Sequence, residues 1–451
     1  MKRSDYLRQR HSNVSSPRRS QWIYALIVIP AFCVLSFGAY FIPSIRWRVD
    51  NFRTELFYRL NPPDEAVFIP QGQQDQLDLV VQSTLLALTP QPTVSPVQPE
   101  SVQSGPTPTL APPPTALPQS IILPGVKYED QHGRWNYCGP ANLSMNLTFW
   151  GWDGDRDIVG AYVKPSSDDK NVMPYEMADF VNTQVPGMKA FVRQGGEIDM
   201  IKNMIAGGYP VLVEKGYYEF DFTGKFAWLG HYQFVNGYND ASGAFTLQDT
   251  YVEDGKDHQT PYQEFIDGWR SFNYLFIVIY PEAEEAKVLG LLGNWANEQW
   301  ASQNALRIAQ GEAQTLQGID QFFAWFNQGS SHVNLQQYFD AAVAYDYAFG
   351  LYADLEDDDS QRPYRIMWYQ TGPYWAYYYT GRYTDTINLA TTTLTETISE
   401  PVLEESLYWR GLAREALGEM DNAISDYRDS VRINPNFTPG WAQLERLGVG
   451  L

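Results

Sequence analysis

The distribution of apolar and polar positions divides the chain into six segments. From Trp22 to Ile42 there are 21 residues without a charge, long enough at about 1.5 Å per residue to cross a bilayer as one helix. Lys2, Arg3, Arg8, Arg10, Arg18 and Arg19 precede this stretch, and Trp22, Tyr24, Tyr40 and Phe41 mark its ends. The pattern predicts a basic cytoplasmic arm over 1–21 and a single span over 22–42. It is longer than the apolar part of a secretory signal and no Ala-x-Ala follows it, so an uncleaved anchor is expected. Over 43–60, Trp47, Phe52, Leu56, Phe57 and Leu60 fall on one side with arginines elsewhere. That is a short amphipathic helix along the headgroups or a continuation of the span into solvent. Residues 61–120 contain no lysine or arginine, and prolines from Pro62 to Pro118 crowd among Gln, Thr and Ser, which predicts a disordered tether.

Periodic apolar patterning returns at 121–283. Gly139 and Pro140 suit a first helical turn, and Leu143, Leu147 and Trp150 recur at helical spacing, so a helix is expected to begin at Cys138. Further helices are predicted over 173–182 and 197–206. Strands are predicted over 210–214, over 230–238 and 244–249 as a hairpin turned at 239–243, and over 274–280. Helices first and an antiparallel sheet after is an α+β order. From 284 to 451 the pattern is helical. Leu407, Gly411, Leu417, Gly418, Ala423, Tyr427 and Pro435 keep the spacing of a tetratricopeptide repeat. Tyr374, Gly381, Tyr383 and Ala390 suggest a weaker copy, and Phe322, Gly329, Tyr338, Ala342 and Tyr345 another. An all-α solenoid with a surface for a protein or peptide partner is expected there.

Candidate chemistry centres on Cys138. The sequence has two cysteines, and the other, Cys33, lies in the apolar span. A thiol at a helix N-terminus is stabilised as thiolate by unpaired N–H groups and the helix dipole, and an unpaired thiol outside the cell is a liability unless its reactivity is used. Of the five histidines, His11 is in the basic arm, His258 in a polar run and His332 in a helical loop; His132, in a Gly-containing segment near Cys138, is a weaker candidate base. His231 opens a strand, and Asp249 lies just past the paired strand, so the hairpin can bring carboxylate and imidazole together in a Cys-His-Asp arrangement. Asp249 could equally be an ordinary turn residue at a strand end.

Gln131, Asn136-Tyr137-Cys138-Gly139-Pro140-Ala141, Gly230-His231-Tyr232 and Gln248-Asp249-Thr250-Tyr251 together resemble the papain-like cysteine peptidases of the bacteriocin-processing type, in their stand-alone branch without a transporter. The resemblance covers about 124–282. It implies an α+β papain-like fold, with Cys138 as nucleophile, His231 as general base, Asp249 as orienting acid and Gln131 as a side-chain donor to the oxyanion. Gln131 stands seven residues before Cys138, further than is usual in that family. No glycine-rich loop ends in Gly-Lys-Ser or Gly-Lys-Thr, so an ATP-driven leader-peptide exporter is not expected. Trp228, Gly230 and Asn136 are candidate substrate contacts, although Trp228 and its aromatic neighbours could equally pack the core.

The net charge of −21 argues against a nucleic-acid partner, whose phosphates demand the opposite sign. Asp153, Asp155 and Asp157 lack the glycine and closing glutamate of a calcium loop, and neither a metal nor a cofactor is expected. The expectation is therefore a single-pass membrane protein whose catalytic and repeat domains are extracytoplasmic, hydrolysing peptide bonds in a peptide or protein substrate. A cell-wall peptide amidase or acyl transferase using the same triad, and an inactive binding scaffold, remain alternatives.

Overall fold

The computed structural model describes residues 37–60, 68–71, 117–165, 170–220, 226–355, 362–396 and 403–451. The basic arm, with His11, and most of the expected span, with Cys33, lie outside the described residues. Among the described residues no helix is long and apolar enough to cross a membrane. Helix α1 (Pro43–Leu60) forms where the amphipathic segment is expected, with Phe52, Leu56 and Leu60 exposed.

Residues 120–281 form a sheet with helices on both faces. In chain order it comprises β1 (Ser120–Ile122), α2 (Cys138–Phe149), α3 (Arg156–Val163), α4 (Pro174–Gln184), β2 (Met188–Arg193), α5 (Ile198–Ala206), β3 (Val211–Phe220), β4 (Phe226–Asn239), β5 (Ala244–Gln248), β6 (His258–Pro261), α6 (Tyr262–Arg270) and β7 (Phe276–Pro281). The strands run β2-β7-β3-β4-β5-β6, with β1 added to β4, and every pairing is antiparallel. Because strand side chains alternate between faces, Leu212, Phe234, Ile277 and Ile279 pack under α2 and α4. Their neighbours Val211, Val213, Val235, Phe276 and Val278 pack under α5 and α6.

Local chemistry sets the helix starts. Asp155 caps α3 by accepting from the backbone N–H groups of Asp157 and Ile158 at 3.0 Å, the usual role of an aspartate there. Asp157 pairs with Arg134 at 2.9 Å. Pro140 and Pro174 occupy first turns, where a missing N–H costs nothing. The strands β3 and β4 are longer than their apolar cores suggest, since the aromatic runs beside them continue the pairing to Phe220 and Phe226.

The C-terminal region is helical: α7 (Glu285–Leu292), α8 (Glu298–Thr315), α9 (Gly318–Asn334), α10 (Tyr338–Asp354), α11 (Ile366–Tyr369), α12 (Gly372–Tyr379), α13 (Tyr383–Thr395), α14 (Glu404–Ala416), α15 (Met420–Ile433) and α16 (Thr438–Leu447). Two hairpins are built alike. A Cβ on Gly329 of α9 would lie 2.6 Å from the ring of Tyr345, sixteen positions on, and one on Gly411 of α14 would lie 2.7 Å from Tyr427, again sixteen positions on. A glycine under a tyrosine ring fixes how closely each helix pair approaches.

The two regions share one core. Trp228 of β4 stacks on Phe272 at 5.4 Å and meets Phe323 of α9 and Tyr369 of α11. Beside this seam the buried ammonium of Lys170 lies 2.8 Å from Glu176 and 3.0 Å from Glu404, and the Asn434 amide donates to both carboxylates. The expected tether is also pinned at one point. Phe68 is buried against Phe349 and Tyr377, and the backbone N–H of Gln71 donates to Asp385 at 2.8 Å. The disordered tether expected over 61–120, with a local helix over 77–88 that lies outside the described residues, is therefore corrected at 68–71, where burial of an aromatic ring opposes the ordering entropy, and at Ser120, where β1 begins. Replacing Lys170 by Met leaves two buried carboxylates without their cation, and is expected to destabilise the chain by roughly 3–5 kcal/mol, read by urea denaturation.

Candidate active site

The site forms where β4 loses its neighbour. Strand β5 ends at Gln248, paired with Phe234, so the edge of β4 beyond that point is taken not by a strand but by the N-terminus of α2. The Tyr232 carbonyl accepts from Asn142 Nδ2 at 2.8 Å, and the Tyr232 backbone N–H donates to the sulfur of Cys138. Asn136, in the left-handed region at φ 48°, turns the chain into the helix, a conformation asparagine adopts more readily than most residues. Tyr137 is buried with its ring against Gly160 of α3. Cys138 is a free, half-buried thiol.

His231 and Gln233 are two apart on β4 and face the same way, toward the residue that follows β5. That residue is Asp249. Its Oδ1 lies 3.0 Å from His231 Nε2, and its Oδ2 accepts from Gln233 Nε2. The backbone N–H groups of Tyr251 and Val252 also donate to Oδ1. With Nε2 on the carboxylate, the other ring nitrogen is left for the hydrogen bond to the Cys138 thiol. Tyr217 and Tyr251 flank the imidazole at 5.7 and 6.2 Å between centroids.

The electrostatics favour a charged pair. Burial pushes the Cys138 thiol up, but the hydrogen bond and charge of His231, with the N–H groups of Tyr232 and Gly139, outweigh it and leave the thiol lowered. Burial likewise opposes the imidazolium, yet the Asp249 carboxylate and the thiolate push His231 up to about 10. Asp249 is held below the usual carboxylate range despite its burial, chiefly by the charge and hydrogen bond of His231. Glu214, opposite Tyr232 on β3, is pushed well above that range, first by burial and then by the charge of Cys138.

Gln131 is tied to the same cluster. Asn142 Nδ2 donates to Thr250 Oγ1 at 3.4 Å, and Thr250 in turn donates to Gln131 Oε1 at 2.9 Å. This relay fixes the amide, leaving Gln131 Nε2 as its donor end. The Gln131 N–H is also held, by the Thr250 carbonyl.

Among the remaining candidates, His132 is exposed and bonds the Tyr251 carbonyl, His258 begins β6 opposite Leu247 and His332 bonds Gln337. Trp228 is 1% exposed in the seam, so its assignment as a substrate contact is corrected: its ring is consumed by packing on Phe272. Gly230 lies where any Cβ would meet the rings of Phe272 and Tyr369. Asn142, Thr250 and Gln233 were not singled out from the sequence, and Tyr217 was weighed there only among the aromatics that could line a cleft. Two of them had a signal, since Asn142 is one helical turn past Cys138 and Gln233 shares a strand face with His231.

Residues 124–277 match the model of the Peptidase_C39 like family. The match supports a papain-like domain of the C39-like peptidases over that third of the chain. A Bacillus anthracis chain described as a C39-like peptidase is 15% identical, covering 36% of this chain and 98% of its own, at a TM-score of 0.30, too low to bear on the fold by itself. No curated protein matches.

The thiolate–imidazolium pair exists between the lowered Cys138 pKa and the raised His231 pKa. The rate of alkylation by iodoacetamide is therefore expected to be level through neutral pH. In His231→Ala the lowering is lost while burial remains, and the inflection should move to about 8.5 or above, read as alkylation rate against pH.

Proposed function

We propose that this chain is a cysteine peptidase of the papain-like type, with Cys138 as nucleophile, His231 as proton carrier and Asp249 as the group that holds the imidazole. The observation that carries the reading is the continuous chain from the Asp249 carboxylate through His231 to a half-buried thiol at a helix N-terminus. The thiolate attacks the peptide carbonyl carbon, and the oxyanion is held by the Cys138 N–H and Gln131 Nε2. As the C–N bond breaks, the imidazolium gives its proton to the leaving amine. His231 then takes a proton from water, whose oxygen displaces sulfur from the thioester and regenerates the enzyme.

We further place the catalytic and helical regions on the extracytoplasmic side, held by a span over 22–42, because the arginine-rich arm precedes that apolar run. The paired Gly329–Tyr345 and Gly411–Tyr427 contacts support reading the helical region as degenerate tetratricopeptide-like repeats that bind substrate or a partner.

A quenched fluorogenic peptide mixture incubated with the full chain tests the activity. Turnover should vanish in Cys138→Ala, and turnover that survives that change would remove the mechanism. Gln131→Ala should lower kcat by about a hundredfold with little change in KM, since its amide meets charge that develops only in the transition state.

A further inference from the structure

Two cavities lie along the seam between the peptidase-like region and the helical region. One, of about 420 Å³, is walled by aromatic rings including Tyr175, Trp375, Tyr408, Trp409 and Phe437. The other, of about 440 Å³, shares Tyr175, Thr371, Trp375 and Glu405 with it and runs to Glu214. Glu214 stands opposite Tyr232 on the paired strand, and the Tyr232 N–H donates to the nucleophile's sulfur. The two cavities thus adjoin at a shared wall, and the second reaches Glu214, beside the strand residue that bonds Cys138. Tyr175 and Trp375 are 42% and 37% exposed, so the chamber opens to solvent.

The charge inside the chamber is one-sided. Glu176, Asp179 and Glu405 contribute to its wall, and no lysine or arginine does. Glu176 has its cation in Lys170. Glu405 has no ion-pair contact of its own among the described residues: it is 8% exposed, it accepts from the hydroxyls of Thr371 and Tyr175, and the Lys170 charge that acts on it is already paired with Glu176 and Glu404. Three buried carboxylates, Glu176, Glu404 and Glu405, thus share the one ammonium of Lys170, and buried negative charge in excess of its cation is unfavourable. Glu405 faces a space bounded by indole and phenol rings, whose faces attract cations. Burial pushes Glu405 up, and a cation entering the chamber would favour its ionised form.

We propose that the seam chamber takes a lysine or arginine side chain of the polypeptide substrate, with Glu405 as its counter-charge and the ring faces of Trp375 and Trp409 toward its cationic end. The assignment rests on the peptidase reading for the word substrate. The chamber itself, and its preference for a basic side chain, stand without that reading. Substrates are then polypeptides with a basic residue at a fixed distance from the bond that is cut.

Binding is tested in the full chain carrying Cys138→Ala, with the end-blocked peptide Ala-Ala-Lys-Ala-Ala and its norleucine counterpart, followed by tryptophan fluorescence at about 150 mM salt to screen long-range attraction. The lysine peptide should bind about tenfold more tightly than the norleucine peptide. Glu405→Gln should bring the two affinities together, whereas Glu445→Gln, on the exposed surface, should leave the preference intact. Should Glu405→Gln fail to fold, Trp375→Leu is expected to erase the preference in the same way. Equal affinities in the parent, or a preference that survives both changes, would overturn the proposal. Digestion of a peptide mixture by the chain with Cys138 intact separates the two readings. Cleavage without enrichment of lysine or arginine overturns the basic-substrate assignment alone, and lysine-selective binding without cleavage overturns the peptidase reading alone.

Discussion

Everything at the site depends on where β5 stops. The strand ends at Gln248, opposite Phe234, and two residues more of β4's partner would have covered the backbone of Tyr232. Because it is left open, the Tyr232 N–H and carbonyl are claimed by Cys138 and Asn142 of α2. Ending the strand at that position also frees Asp249 to turn its side chain back onto His231 and Gln233. A slip of one residue in the β4–β5 register would turn β5 over and carry Asp249 away from His231 and Gln233.

Much of this arrangement was legible in the chain. A glycine and proline behind a cysteine, an apolar stripe at helical spacing, and two β-rich runs joined by a five-residue turn predicted the helix and the hairpin, and so the meeting of Cys138, His231 and Asp249. What escaped the sequence was the supporting layer. Asn142 looks like a polar residue on a helix, and only the open strand edge gives its amide two carbonyls and a hydroxyl to reach. Thr250 likewise matters through the relay to Gln131, which no spacing in sequence announces. Trp228 erred in the other direction: an aromatic residue three positions before a reactive histidine suits a cleft, but alternation along β4 sends its ring into the seam with Phe272. The helical region was expected as a separate module, yet burial of Trp228, Phe323 and Tyr369 together makes it part of the same core.

That shared core changes what the helices do for the chemistry. Tyr369 covers Gly230, the residue directly before His231, and Gln370 donates to the Ser271 carbonyl at 2.7 Å. The helices therefore brace the strand that carries the imidazole, and the Lys170–Glu176–Glu404 cluster ties the two regions by charge where the apolar contacts end.

The docking of Phe68 onto Phe349 and Tyr377 sets the length of the leash. Between the end of α1 at Leu60 and this first fixed point there are seven residues, which fully extended cover about 25 Å. Because Phe68 is fixed in the core, the sequence between α1 and β1 is closed into two separate spans rather than one.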